Sequence, residues 1–338
     1  MRALTLLIIA GGKSSRLGVD KRFVEVGGLT LLENILRKAA ENFSEIFLCV
    51  EEILPQIKIL AEKYGAKISV DEVQGAGPIA ALATTLKKIS TEKALAVSVD
   101  MPFFDFEILK PLMNFDEKII VPIVSGRAQP LAAIYHKLTA KFFSDELSAG
   151  RRKLIDAIKK VPHQFIQIET EKFFNVNTPA DLKLARGRAE NLSRKIPVIS
   201  IVAPTSDTGK TTFIEKILRR LTNLKTGVVK SSHHKILADK ISADSHRFLK
   251  AGAKKVYVGE KFFEELERMD ADLILTESRT HGIFPAISLW RGSGEVIADE
   301  NVVAIFSSKP QTSDEIFQFD INDIDAALKI CNFLKHES

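Results

Sequence analysis

Short apolar runs alternate along the chain with stretches whose apolar residues recur every three or four positions. The runs "ALTLLIIA" from Ala3, "EIFLCV" from Glu45, "AKISV" from Ala66, "KALAVSV" from Lys93 and "KIIVPIV" from Lys118 predict strands, since buried strands are short, continuous and bounded by turn residues or charge. Between them "LLENILRKAAENF" from Leu31 and "PIAALATTLKKI" from Pro78 carry helical periodicity. This alternation predicts a parallel sheet with helices on both faces. The pattern pauses over residues 181–197, "DLKLARGRAENLSRKIP", which are polar, cationic and closed by proline. That pause divides the chain into domains of residues 1–192 and 196–338. The second opens with "PVISIVA" from Pro197, continues through "LKTGVVK", "KKVYVG", "DADLILTE", "AISLWR" and "NVVAIF", and ends in a helix from about Asn322. The expected fold class is α/β throughout, in two domains.

Composition narrows the class. The 338 residues suffice for two cores. No uninterrupted apolar run approaches the roughly 20 residues of a spanning helix. The opening run leads straight into a charged loop and reads as a strand, not a signal peptide. Cys49 and Cys331 stand far apart without a CxxC pairing, so neither a disulfide framework nor a structural zinc site is indicated, and a reducing cytoplasm is expected. A net charge of +5 and a pI near 9.0 favour anionic partners. Without an arginine-rich arm or a basic helix with interleaved aromatics, phosphorylated small molecules account for that excess as well as nucleic acid does. No membrane or nucleic-acid partner is expected.

The first candidate site is "AGGKSSRLGVDK", residues 10–21, directly after the first strand. In open α/β sheets ligands collect at the carboxyl ends of strands. Gly11 and Gly12 let a backbone approach a phosphate closely, while Arg16 and Lys21 supply positive charge. The loop is not the dinucleotide GxGxxG pattern, so NAD is not expected. Asp100 follows "ALAVSV" and should emerge at the same edge; its plainer role is a helix N-cap for "PFFDFEIL". Asn175 and Asn177 alternate along an extended segment and point to opposite sides, and Thr178 before Pro179 is a good N-cap for the helix that follows.

"AGGKSSRLGVDK" resembles the signature loop of the molybdenum cofactor guanylyltransferases, within the broader nucleotidyltransferase group. "GAGPIAAL" from Gly75, "SVDMPF" from Ser98, "QPLAAIY" from Gln129 and "NVNTPADL" from Asn175 resemble further segments of that family, in its order, across most of residues 1–190. The resemblance implies a Rossmann-like nucleotidyltransferase sheet with flanking helices. It implies GTP contacts at Ile9, Ala10, Gly11, Gly12, Lys21, Glu51, Asp71 and Asp100, catalytic roles for Arg16, Lys21 and Asp100, and Gln129, Asn175 and Asn177 near substrate or metal. The implied reaction joins GMP from GTP to molybdopterin and releases pyrophosphate, with Mg²⁺ held by Asp100. Ala-Gly-Gly points to guanine, whereas Glu51 stands where guanylyltransferases of this group carry asparagine. A cytidylyltransferase therefore stays open, as does a sugar-phosphate nucleotidyltransferase.

The second candidate site is "APTSDTGKTT", residues 203–212, again with a strand before it and a helix after. It departs from GxxxxGK[ST] only in lacking the first glycine. Loop amides of Ser206, Asp207, Thr208 and Gly209, with Thr212, are expected around phosphates; Lys210 should reach the β and γ oxygens and Thr211 hold Mg²⁺. "DADLILTES" reads as a strand ending in an acidic metal partner, Glu277, with Asp272 as competitor. "GVVKSSHHK" and "SADSHRFLKAGAKKVYVG" resemble the GTP-binding partner protein of molybdenum cofactor guanylyltransferases, over roughly residues 196–335. That resemblance implies a P-loop NTPase-like domain, with weak GTPase activity and a dimer of this domain among the arrangements it allows. The family commonly has Glu-Gly where this chain has Glu277 and Ser278. No NKxD sequence occurs, so ATP and GTP stay open on motif alone. His233 and His234 lack companions at zinc spacing, and Trp290 reads as core. Together the resemblances imply a bifunctional chain whose partners are nucleotide, molybdopterin, molybdoenzyme apoproteins and other cofactor-biosynthesis proteins. The rival makes the P-loop half a non-catalytic adaptor for an apoenzyme.

Overall fold

The structure is a computed structural model that describes residues 1, 3–12, 16–170, 172–231, 243–259, 262–280 and 282–336. His233 and His234 lie outside the described residues. The chain divides into two units, Met1–Asn177 and Thr178–Ser338.

The strands of the first unit are β1 (Thr5–Ile9), β2 (Glu25–Val26), β3 (Leu29–Thr30), β4 (Ile46–Val50), β5 (Lys67–Val70), β6 (Lys93–Ser98), β7 (Ile119–Val124), β8 (Arg127–Ala128), β9 (Ala132–His136) and β10 (His163–Gln167). They form a sheet in the order β10-β7-β9-β6-β1-β4-β5, with β8 against β7 and a separate β2-β3 ribbon. The sheet is mixed, not parallel as expected: β9 runs antiparallel to both β6 and β7. The short turn through Ser125 and Gly126 that follows β7 forces the reversal, because parallel neighbours need a long crossover. The helix Leu31–Asn42 forms where predicted, with Thr30 capping the amide of Glu33 and Leu31, Leu32, Ile35, Leu36 and Ala39 buried along one stripe. The helix Pro78–Thr85 is entered through Gly77, whose φ of 75° a side chain would resist, and ends before the predicted Ile89. Its Ile79 and Leu82 pack with Leu7, Phe47, Tyr135 and Phe143 in one core.

The second unit contains β11 (Val198–Val202), β12 (Thr226–Ser231), β13 (Lys255–Gly259), β14 (Leu273–Glu277), β15 (Ala286–Trp290), β16 (Val302–Ser307) and β17 (Phe317–Asp320). Their order is β13-β12-β14-β11-β15-β16-β17 and every pairing is parallel. The closing helix is Ile324–Leu334, capped by Asp323.

The division after Asn177 places the helix Pro179–Leu192 with the second unit, where the sequence suggested the tail of the first. One of its cations is buried in that unit. Arg188 is 1% exposed, donates to the Phe333 carbonyl at 2.7 Å and lies over the Phe333 ring at 4.6 Å. Asn191 donates to the Leu334 carbonyl at 3.0 Å and accepts from the Val198 amide at 3.1 Å. The expected N-cap at Thr178 forms as a reciprocal capping box with Asp181. Among the described residues no helix is long and apolar enough to cross a membrane. Both cysteines are buried and unpaired, and burial pushes their thiols up to about 12, which makes them poor nucleophiles.

Candidate functional site

In the first unit, strand register brings four expected segments to one edge. Ile9 pairs with Cys49 and with Ser98, and Val50 pairs with Val70. The loop from Ala10, Glu51, Asp71 and Asp100 therefore all follow the carboxyl ends of adjacent parallel strands. Asp100 is 7% exposed. Its Oδ2 accepts a 2.7 Å bond from Lys21 Nζ, while its Oδ1 is buried with no hydrogen-bond partner. Lys21 opens a short 3₁₀ turn capped by Asp20, whose carboxylate also holds Arg22. Local chemistry thus delivers the ammonium to the aspartate.

Asp100 is not the cap of the segment after it. Asp105 takes that role, accepting from the Glu107 amide, and leaves Asp100 to the site. The loop between them is held by Asn34 and Lys38, which donate to the Pro102 carbonyl at 2.6 and 3.1 Å. The Val176 amide donates to the Asp100 carbonyl at 2.9 Å, so the closing motif reaches the same place, with Asn175 and Asn177 on either side of that contact. The Asn175 amide donates to the Phe173 carbonyl at 3.2 Å. Gln129, just after β8, donates its backbone amide to the Pro122 carbonyl within β7. Arg16 is exposed and makes no hydrogen bond or ion pair among the described residues.

Asp71 and Glu51 flank Gly11. A Cβ on Gly11 would lie 3.5 Å from Glu51 Cγ and 3.7 Å from Asp71 Oδ2. Burial, aided by the Glu51 charge, pushes the Asp71 carboxyl up to about 7. Its Oδ1 is buried without a hydrogen-bond partner. Two carboxylate side chains thus border one glycine notch beside the loop.

In the second unit the loop of residues 203–209 follows β11 and leads into the helix Lys210–Leu218. Counted back from Gly209, the motif's first glycine position is Pro204. Gly209 keeps a φ of 94°, the conformation glycine is there to provide. Lys210 Nζ turns back to the Thr205 carbonyl at 3.1 Å, and burial lowers its pKa. Thr211 donates to Glu277 Oε2 at 2.9 Å, so the predicted pair meets. Asp272 lies at the other end of β14, accepting from the Lys225 amide, and is excluded as competitor. Trp290 is half-buried, with its indole N–H on the Gly294 carbonyl.

The residues that sequence reasoning missed are cations. Lys230, in register with Glu277, donates to Glu277 Oε1 at 2.8 Å and Asp244 Oδ2 at 2.6 Å. Burial alone would lower its pKa; these bonds outweigh it and raise it. Arg279 reaches the Ser206 hydroxyl at 3.2 Å and Arg291 the Thr208 carbonyl at 2.9 Å. One signal was available: Lys230 is a charge at the carboxyl end of an otherwise buried strand, the same signal that marked Glu277.

The MobA-like NTP transferase domain family matches residues 6–162, and the family described as molybdopterin guanine dinucleotide synthesis protein B matches residues 198–308. A probable molybdenum cofactor guanylyltransferase of Pelotomaculum thermopropionicum is 32% identical over 203 residues, 56% of this chain and 96% of the relative. One from Bacillus subtilis is 29% identical over 196 residues, 56% of this chain and 97% of its own. Among solved structures, molybdopterin-guanine dinucleotide biosynthesis protein A from Archaeoglobus fulgidus aligns with a TM-score of 0.47 at 24% identity, over 54% of this chain and 97% of that one. With the Pelotomaculum relative, 32% identical, spanned almost end to end, the chain belongs to the molybdenum cofactor guanylyltransferases, nucleotidyltransferases of molybdenum cofactor biosynthesis, and carries a molybdopterin guanine dinucleotide synthesis protein B domain in its second half.

Proposed function

We propose that the edge of the first unit transfers GMP from GTP to molybdopterin. An oxygen of the molybdopterin phosphate attacks the α-phosphorus of GTP, the bond to the β-phosphate oxygen breaks, and pyrophosphate leaves. The observation that carries the reading is the meeting of Asp100, Lys21 and the glycine loop at one strand edge, in a chain of this family. Asp100 fits a divalent cation, because its buried Oδ1 lacks any hydrogen-bond partner. Mg²⁺ held there would draw charge from the phosphate oxygens. Lys21, with Nζ on Asp100, is placed to meet a phosphate oxygen as well, and the amides around Gly11 and Gly12 offer donors to developing charge. Arg16, exposed on the turn, is free to close on the distal phosphates. Asn175 and Asn177 are proposed to orient the acceptor.

Glu51 and Asp71 support guanine. Guanine presents N–H donors at N1 and N2, and carboxylate oxygens accept both. The absent Cβ of Gly11 leaves the notch between them open.

The second loop is proposed to bind GTP through Ser206–Thr212, with Thr211 and Glu277 as the Mg²⁺ pair, and to assist delivery of the finished cofactor to apoenzymes. Covalent linkage raises the concentration of each unit for the other. The test is pyrophosphate release with molybdopterin and Mg²⁺, comparing GTP, CTP and ATP, in the full chain and in Asp100→Asn. GTP-only release that Asp100→Asn abolishes without unfolding supports the reading. Release with CTP alone makes the chain a cytidylyltransferase, and full activity of Asp100→Asn removes that residue from the mechanism.

A further inference from the structure

We infer that Arg279 reads the terminal phosphate of the nucleotide at the second loop, so that this site distinguishes a nucleoside triphosphate from its diphosphate. The inference rests on the reading of residues 203–212 as a nucleotide loop. Its basis is the distribution of charge around that loop. Lys230 is committed to Glu277 and Asp244. Arg247 touches the Thr212 hydroxyl at 3.2 Å, yet Glu215 takes two of its donors at 2.9 and 2.7 Å. Glu277 has one oxygen on Lys230 and the other on Thr211.

Three cations are left beside the loop: Lys210, Arg279 and Arg291. Among the described residues no carboxylate forms an ion pair with any of them. Glu277 and Asp207 act on Lys210 only through their fields. Arg279 spends one of its five donors on Ser206 Oγ, and Arg291 uses Nε on the Thr208 carbonyl. So much unmatched charge on one loop calls for an anion, and guanidinium suits phosphate oxygens in pairs.

The two arginines approach from opposite sides, because β14 and β15 flank β11. Arg291 ends on the carbonyl just before Gly209 and fastens the loop. Arg279 stands two residues beyond Glu277, on the side of the acid and of Thr211. In nucleotide loops that side serves the β and γ phosphates. Its hydrogen bond to Ser206 is long and exposed, hence easily exchanged for a phosphate oxygen. A diphosphate would lack the group that Arg279 meets.

The experiment is calorimetric titration of the full chain with GTP and with GDP. Second-site binding is the component that Lys210→Ala removes. Arg279→Gln is expected to weaken GTP at that component by about tenfold or more, the size of one charge-assisted hydrogen bond, and to leave GDP within about twofold. Arg279→Lys should recover part of the loss, and Arg291→Gln should weaken both ligands together. Equal loss of GTP and GDP in Arg279→Gln, or no loss, overturns the inference while the nucleotide reading stands. If Lys210→Ala removes no component, the nucleotide reading falls and the inference with it.

Discussion

Asp71 offers the sharpest test of the first site, because its burial should be visible in the stability of the protein as a function of pH. The carboxyl is 7% exposed, and burial beside Glu51 pushes it from 3.8 to about 7. A change of that size separates its charged and neutral forms by about 4 kcal/mol, and relaxation of the site with water entry reduces this to an expected ~2 kcal/mol. Below about pH 4 folded and unfolded chains both hold the proton, and nothing is lost. Between about pH 4 and 7 the unfolded chain releases it while the folded chain keeps it, so stability falls as pH rises; above that window the cost is constant. Asp71→Asn removes the cost. Its stability relative to wild type should therefore rise by ~2 kcal/mol from pH 4.5 to pH 8, as measured by urea unfolding at a series of pH values. Glu51→Gln should show part of the same gain, since it removes the neighbouring charge. A wild-type to Asp71→Asn difference that does not change with pH would refute the burial argument. The same variant should bind GTP less well at pH 8, because the charge that costs stability is proposed to accept the guanine N–H groups.

Lys21→Met leaves Asp100 without its cation, and we expect pyrophosphate release to fall by about 100-fold or more while the chain stays folded by circular dichroism. Gly187→Ala would bring a Cβ within 2.9 Å of Pro285 Cβ and 3.1 Å of Val303 Cγ1. The roughly 1 kcal/mol that alanine usually adds to a helix should be overwhelmed, for a net loss of about 1–2 kcal/mol in denaturant unfolding. Lys230→Met strips the ammonium from Glu277, which is 6% exposed, and should cost about 2–3 kcal/mol at pH 8.

Most expected strands were legible because they are continuous apolar runs that the structure buries, β1, β4, β11 and β14 completely; β5 and β13, at sheet edges, were legible from their apolar residues although they are largely exposed or half-buried. Besides the two-residue β2, β3 and β8, two longer strands escaped: β10, "HQFIQ", and β17, "FQFD". Both lie at sheet edges and are only partly buried, so their apolar content is thin and their polar residues look like loop. The direction of β9 escaped for another reason. Its residues are as apolar as those of a parallel strand, and only the tight turn at Gly126, where φ is 74°, reverses the chain. The two compact units meet earlier than the polar, cationic pause suggested. Arg188 and Asn191 are buried through hydrogen bonds to the carbonyls of Phe333 and Leu334, more than a hundred residues later.

The burial of Arg188 was hidden in the sequence for the same reason as the cations of the second loop. A glycine loop, a strand-end aspartate or a P-loop lysine is legible because its chemistry is contained in a few consecutive residues. A guanidinium has meaning only through what it faces. Arg247 and Arg279 are indistinguishable as letters, yet Glu215 neutralises the first while the second has a serine hydroxyl. Partner identity decides whether an arginine braces the fold or waits for an anion, since a paired guanidinium has already spent the donors that a phosphate would need. In the first unit the same reasoning separates Lys21 from Lys38. Lys38 is used up on the carbonyls of Pro102 and Phe104 and holds a loop. Lys21 shares its proton-rich end with an aspartate whose other oxygen still lacks a partner. The incomplete satisfaction of Asp100 in one unit and the surplus of arginine in the other are complementary deficits, one calling for a cation and the other for an anion. A magnesium-bound nucleoside triphosphate, the ligand proposed for each site, answers both.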